Sequence, residues 1–281
     1  MSFWEAALLG LVQGLSEFLP ISSTAHLTLA GRAMGLIDPN APEQWTAFIA
    51  VVQLGTLVAV LAYFRRDILT ITRAFLRENI KRTPFAQQSM SARTGWYIIL
   101  GTIPIVVIGL ALKDVIEGAF TKNLIVIGSS LIGLALLLEI AERVAKFERP
   151  IDEVSTRDAF VIGCAQAVAL IPGSSRSGTT MTAGLFAGLT RETAARFSFL
   201  LSIPAIGASG LLELMHVTQY LTLREGGVLL VATVVAGLSG YWSIAFLLRY
   251  LRTRTTRIFV IYRLLLGGGI LAAIYFGSLQ P

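Results

Sequence analysis

Hydrophobic residues in this chain fall into long runs rather than into amphipathic stripes or strict alternation. A helix crossing a bilayer needs about 20 mostly apolar residues. Runs that meet this need occupy residues 45–64, 96–112, 123–141, 195–215, 227–249 and 258–277, and they predict six transmembrane helices. Two further apolar regions are interrupted, 3–19 with 21–36 and 158–171 with 178–190. Each piece is too short or too polar to cross comfortably. Broken helices at membrane depth are tolerated where they line a protein-enclosed cavity, so these regions predict two re-entrant helix-turn-helix hairpins.

The two interrupted regions repeat one pattern. Gly10, Gln13, Pro20 and Ser22-Ser23 find counterparts in Gly163, Gln166, Pro172 and Ser174-Ser175 when a one-residue gap is allowed. Gly31-x-x-x-Gly35 is echoed by Gly184-x-x-x-Gly188, which suggests close helix approach in both places. Single glycine pairs are common in membrane helices, and the recurrence at matching places is what favours packing.

Charge adds an orientation. Lys and Arg crowd the connections 65–95, 142–157 and 249–257, and Arg191 and Arg196 join them on the same side of a six-span chain. The other side has Arg32, Lys113, Lys122 and Arg224. The rich side is cytoplasmic by the positive-inside rule, which places both termini outside. One hairpin then enters from the outer face and the other from the cytoplasmic face, each followed by three spans. The chain reads as a single polytopic domain, residues 1–281, an inverted-topology repeat with halves of about 1–141 and 158–281.

Composition agrees with this class. Of 281 residues, 54% are hydrophobic and 14% charged, with a mean hydropathy of +0.71, far from the balance of a soluble domain. The net charge of +6 lies between apolar segments, which argues against a nucleic-acid partner. Cys164 is the only cysteine and reads as a small core residue. The first residues lack a basic stretch and Glu5 comes early, so no cleaved signal peptide is expected.

Chemistry concentrates in the two turns. Gln13 and Glu17 share a helix face, and Ser22, Ser23 and His26 follow Pro20, with one serine available as a helix cap. Pro172-Gly-Ser-Ser-Arg-Ser-Gly-Thr-Thr offers an oxyanion cradle. Its glycines permit tight turns, the following helix presents free N–H groups, and Arg176 supplies a bidentate fork. Ser174, Ser175, Ser177, Thr179 and Thr180 add phosphate-binding donors beside Ser22 and Arg176. A buried structural Glu17–Arg176 pair is the bland alternative.

The division between the turns suits cleavage of a phosphate ester or anhydride. Arg176 and backbone N–H groups stabilise developing charge. His26 is a candidate general base, general acid or nucleophile, and Ser23 a competing nucleophile activated by His26. Glu17 is a candidate to orient His26, activate water or, with Gln13, hold a divalent cation. Elsewhere, His216 reads as interfacial, the four tryptophans as an aromatic belt, Gln53 as a cavity-lining amide, and Pro104 and Pro204 as kinks.

At Gln13-Gly-Leu-Ser-Glu17-Phe-Leu-Pro-Ile-Ser-Ser-Thr-Ala-His26, Val52-Gln53-Leu54-Gly55 and Pro172-Gly-Ser-Ser-Arg-Ser-Gly, the chain resembles the undecaprenyl-diphosphatase family of the bacitracin-resistance type, over nearly its full length. The resemblance implies hydrolysis of undecaprenyl diphosphate to undecaprenyl phosphate and phosphate, recycling the lipid carrier for peptidoglycan and other envelope polymers and conferring bacitracin resistance. It also implies an inner-membrane protein with a site open to the periplasmic side, dependence on magnesium or calcium, and a homodimer. Glu17, Ser23, His26 and Arg176 match the family's key positions, with Ser22, Ser175 and Thr180 in support. Gln13 stands where many relatives carry glutamate, which removes one charged ligand from any metal site. A lipid-phosphate flippase or transporter is the rival, because inverted repeats with broken helices are also a transporter architecture.

Overall fold

The computed structural model describes residues 1–38, 40–217 and 222–280. Among these residues twelve α-helices follow one another: α1 (Phe3–Glu17), α2 (Ser23–Ala33), α3 (Pro42–Tyr63), α4 (Arg65–Ile80), α5 (Met90–Ala111), α6 (Lys113–Glu117), α7 (Leu124–Val144), α8 (Thr156–Val168), α9 (Arg176–Phe186), α10 (Arg191–Val217), α11 (Leu223–Leu251) and α12 (Arg257–Tyr275). No strand occurs among the described residues. Six helices, α3, α5, α7, α10, α11 and α12, are long and apolar enough to cross a membrane, and they coincide with the six apolar runs of the sequence. The protein is therefore an all-helical, multi-pass membrane protein.

Residues 65–95 are not simply a loop. α4 fills half of that connection, with arginines at 65, 66, 73 and 77 and exposed Leu69 and Leu76 among them. A charge-rich helix of this kind has no apolar run to reveal it, and its register against α5 comes from Phe75 packing edge-on to Trp96.

The short helices come in two pairs, α1 with α2 and α8 with α9, and the pairs are built alike. Ser22 caps α2 with φ 72 and ψ 98, and Ser175 caps α9 with φ 67 and ψ 107. These are strained conformations for residues other than glycine. Each serine hydroxyl accepts from the backbone N–H three residues on, Ala25 in one and Gly178 in the other. The correspondence needs no gap: Gly10, Gln13, Ser22, Gly31 and Gly35 match Gly163, Gln166, Ser175, Gly184 and Gly188 at one spacing. The gapped pairing of Ser22-Ser23 with Ser174-Ser175 is thus corrected. Ser23 takes the place of Arg176, and Pro20 that of Gly173.

The glycines divide their work differently from a plain packing motif. Gly31 admits the Trp45 ring and Gly184 admits Ala194. Gly35 and Gly188 instead adopt φ +66 and +81 and end their helices, as glycine does at a left-handed cap. The short helices approach their neighbours closely at Gly10, Gly14 and Gly163 instead. Gly10 and Gly14 lie against the α11 backbone and Ser239, and Gly163 lies against Gly101 of α5. Hence α1 packs on α11 while its counterpart α8 packs on α5, and α3 with α10 and α7 with α12 complete the bundle. Cys164 is exposed, not a core residue: α8 turns its glycine face to α5 and the cysteine away.

The α3–α11 contact is tightest at Gly55, where an added Cβ would come within 1.9 Å of the Thr233 carbonyl oxygen. Neither backbone can yield by that amount without parting the helices. Gly55→Val is therefore expected to lower stability beyond the ~1–3 kcal/mol typical of overpacking. Loss of monodisperse protein on size exclusion and a lower Tm in detergent would report it.

Candidate active site

The last turn of α1 presents Gln13 and Glu17 on one face, and the N-termini of α2 and α9 bring Ser23 and Arg176 to them. Glu17 is 6% exposed. Its Oε2 accepts from Gln13 Nε2 at 2.8 Å and from Ser23 Oγ at 2.6 Å, and its Oε1 accepts from Arg176 Nη2 at 2.5 Å. The Ser177 hydroxyl donates to the Leu19 carbonyl at 3.1 Å, tying one turn to the other. Helix N-termini carry positive partial charge, so an anion near Ser23 and Arg176 meets two of them.

Part of this cluster is unsatisfied by the protein itself. Arg176 Nη1 and Gln13 Oε1 are buried with no partner among the described residues. A buried charged nitrogen without an acceptor is costly, and a phosphate oxygen is the acceptor its fork suits.

A cavity of about 660 Å³ opens from this point. Glu17, Ser22, Ser23, Ser175 and Arg176 line it, Ile49, Ile105, Leu170 and Ile206 give it an apolar wall, and Gln53 faces it, in keeping with its reading as a cavity-lining amide. It reaches Thr46 in the first turn of α3, Lys113, Glu117 and Lys122 between α5 and α7, and His216 in the last turn of α10. Lys122 donates to Thr46 Oγ1 and to the carbonyls of Glu117 at 2.7 Å and Gly118 at 2.9 Å. Burial lowers its pKa to about 8, against the pull of Glu43 and Glu117.

Most other candidates do not line the cavity. His26 makes no bond to Ser23 or Glu17. Its Nδ1 lies 2.7 Å from the Ser22 carbonyl oxygen and its Nε2 2.6 Å from the Tyr262 hydroxyl, and the two rings stack at 5.6 Å. A carbonyl only accepts, so Nδ1 carries the proton, and the neutral ring takes the Tyr262 proton at Nε2. Thr179 and Thr180 donate to the Arg176 carbonyl, Thr180 also meets Ser198, and Ser177 and Ser175 meet each other at 3.2 Å. These hydroxyls build the turn. Ser174 is fully buried, and its Oγ has no partner among the described residues. Sequence reasoning misses Tyr262 and its neighbour Arg263, which lie within an apolar run; an arginine at membrane depth is the signal that could find them.

For a metal, the described residues contain no cluster of three or more His, Cys, Asp or Glu side chains. Glu17 and the free Oε1 of Gln13 supply one carboxylate and one amide oxygen. That donor set fits a hard cation shared with phosphate oxygens and water, as magnesium is commonly held, rather than a closed protein cage.

Comparison with known proteins gives a consistent answer. Residues 6–269 match the family described as bacitracin resistance protein BacA. The undecaprenyl-diphosphatase of Syntrophobacter fumaroxidans is 56% identical over 276 residues, covering 98% of each chain. That of Chloroherpeton thalassium is 51% identical over 290 residues, covering 100% of this chain and 99% of its own. That of Myxococcus xanthus is 50% identical over 281 residues, covering 100% and 92%. Both turns, the cavity and nearly all of the bundle lie inside the matched range, and the chain belongs to the bacitracin resistance protein BacA family.

Proposed function

We propose that this chain is an undecaprenyl-diphosphate phosphatase, releasing inorganic phosphate and returning undecaprenyl phosphate to peptidoglycan and envelope synthesis, and thereby conferring bacitracin resistance. One observation carries the reading within the site: the Ser23 hydroxyl donates to Glu17 at 2.6 Å, while Arg176 bridges the same carboxylate and keeps a free Nη1. This is a nucleophile held by a base, beside a cation suited to phosphate, in a cavity with an apolar wall for a polyprenyl chain. A flippase needs Arg176 but has no use for the Ser23–Glu17 bond.

In the proposed sequence Ser23 Oγ attacks the terminal phosphorus as Glu17 Oε2 takes its proton. The bond to the bridging oxygen breaks and undecaprenyl phosphate leaves. Glu17 then gives that proton up to solvent, and water cleaves the phosphoserine, its proton passing to Glu17 and on to the departing Ser23 Oγ. Arg176 and the N–H groups at the start of α9 stabilise the charge on the transferred group. His26 holds the Ser22 carbonyl and with it the strained cap. The reading is tested by acid-quenching the enzyme with substrate labelled at its terminal phosphorus. Label on Ser23 supports it, and steady release with no protein-bound label contradicts it.

The resident cation, magnesium or calcium, would be held by Glu17 and Gln13 and would offset charge on the phosphates. Gln13→Glu restores a carboxylate, so the cation concentration giving half-maximal activity is expected to fall several-fold. A titration of phosphate release against magnesium measures it, and an unchanged midpoint contradicts the assignment.

The membrane arrangement belongs to the same proposal. The matched caps, the matched terminal glycines and the α1–α11 and α8–α5 pairings support two halves of opposite orientation, with the α1–α2 and α8–α9 pairs as re-entrant hairpins. With the basic connections cytoplasmic, the cavity mouth at Lys113 and Lys122 opens to the periplasmic side of the inner membrane. The homodimer is part of this reading too. Cross-linking in native membranes tests it.

A further inference from the structure

Three consecutive carbonyls of the turn before α9 are held from the side of α7 and α12. The Ser130 hydroxyl donates to the Pro172 carbonyl. Arg263 Nη2 donates to Gly173 at 3.3 Å and Ser174 at 3.0 Å, and also reaches Ser130 O, while its Nε donates to Leu131 O at 3.2 Å. Arg263 is fully buried, and no carboxylate pairs with it among the described residues. Its Nη1 is also buried and has no partner among the described residues, and a Cβ added at Gly178, in the first turn of α9, would lie 2.8 Å from it. A whole guanidinium charge thus sits beneath the turn that carries Arg176.

That arrangement fixes the opposite edge of the turn. In a trans peptide the carbonyl and the following N–H point in opposite directions. With the Ser174 carbonyl drawn to Arg263, the Ser175 N–H points the opposite way, and Ser175 is one of the residues that line the cavity. That N–H has no acceptor among the described residues. The Ser174 N–H, by contrast, is taken by the Ile171 carbonyl. The clamp can reach the turn because α7 comes close to it, with Gly173 at φ +87 against Ile127 and Ser130, and because α7 and α12 meet at Gly128 and Gly267.

We infer that Arg263, with Ser130, is a positioning residue for the phosphate turn, aiming the Ser175 N–H at the transferred phosphoryl group and adding positive potential from beneath. The inference rests on the phosphatase reading. Its effect falls on charge that develops during the reaction, so it belongs in kcat and not in ground-state binding.

The test compares wild type, Arg263→Lys and Ser130→Ala in detergent, measuring Tm, kcat and KM for polyprenyl diphosphate, and inhibition by orthovanadate. For folded Arg263→Lys, which keeps charge but not the fork, kcat is expected to fall about 10²-fold. KM should stay within about threefold, and vanadate inhibition should weaken with kcat. Folded Arg263→Lys with wild-type kcat, or with a loss confined to KM, would overturn the inference. If Arg263→Lys does not fold, Ser130→Ala decides: a lower kcat at unchanged KM and Tm supports the clamp, and unchanged kcat overturns it. Absence of release by the wild type overturns the phosphatase reading and the inference with it, an outcome distinct from normal release by both variants.

Discussion

Arg176→Ala is expected to lower kcat/KM for polyprenyl diphosphate by about 10³-fold, the upper range for one preorganised donor to developing charge. The side chain does two things at once. It pairs with Glu17 Oε1 at 2.5 Å and keeps a buried Nη1 that has no acceptor among the described residues. Removing it also strands a buried carboxylate, and breaking a buried pair costs about 3–5 kcal/mol. The variant should therefore melt at lower temperature as well as lose activity. Arg176→Lys separates the two effects. It keeps a cation beside Glu17, so Tm should recover most of its value, whereas the bidentate geometry is gone and activity should stay well below wild type. Phosphate release and thermal unfolding on the same preparations measure both.

The second large effect concerns the nucleophile and its base. Ser23→Ala should reduce release to the level left by binding and charge stabilisation alone, because no hydroxyl remains at 2.6 Å from Glu17. Glu17→Gln should cost about 10²–10⁴-fold, the usual range for a general base. The two losses should not add: each removes one member of a unit, so the double variant should resemble the worse single one. Additive losses would mean that Ser23 and Glu17 act independently. Rates from all three proteins, with the folded fraction checked, distinguish these outcomes.

Much of this architecture is legible in the amino-acid sequence. The six spans follow from length and hydropathy, and the helices differ from the apolar runs by only a few residues at their ends, because a long apolar run admits little else. Glu17, Ser23 and Arg176 are recognisable as polar groups kept in apolar surroundings, and they do converge. The gapped register fails for a physical reason. Pro20 and Pro172 invite pairing by identity, yet the helix caps set the true correspondence, and a cap is a backbone conformation that residue type alone does not reveal. His26 lies close in sequence to Ser23, but its bond to Tyr262 depends on α12, more than two hundred residues away. Arg263 is obscured by counting charges per loop, which passes over an arginine inside a span. α4 escapes notice because its surface carries the charges that mark a connection.

The central claim is that the turns before α2 and α9 form one phosphatase site. The most direct measurement is phosphate release from undecaprenyl diphosphate by purified wild type and by Arg176→Lys, with magnesium present and folding confirmed by size exclusion and Tm. The account predicts steady release by the wild type and a severe loss in the folded lysine variant. No release by folded wild type, or equal release by both proteins, would contradict it.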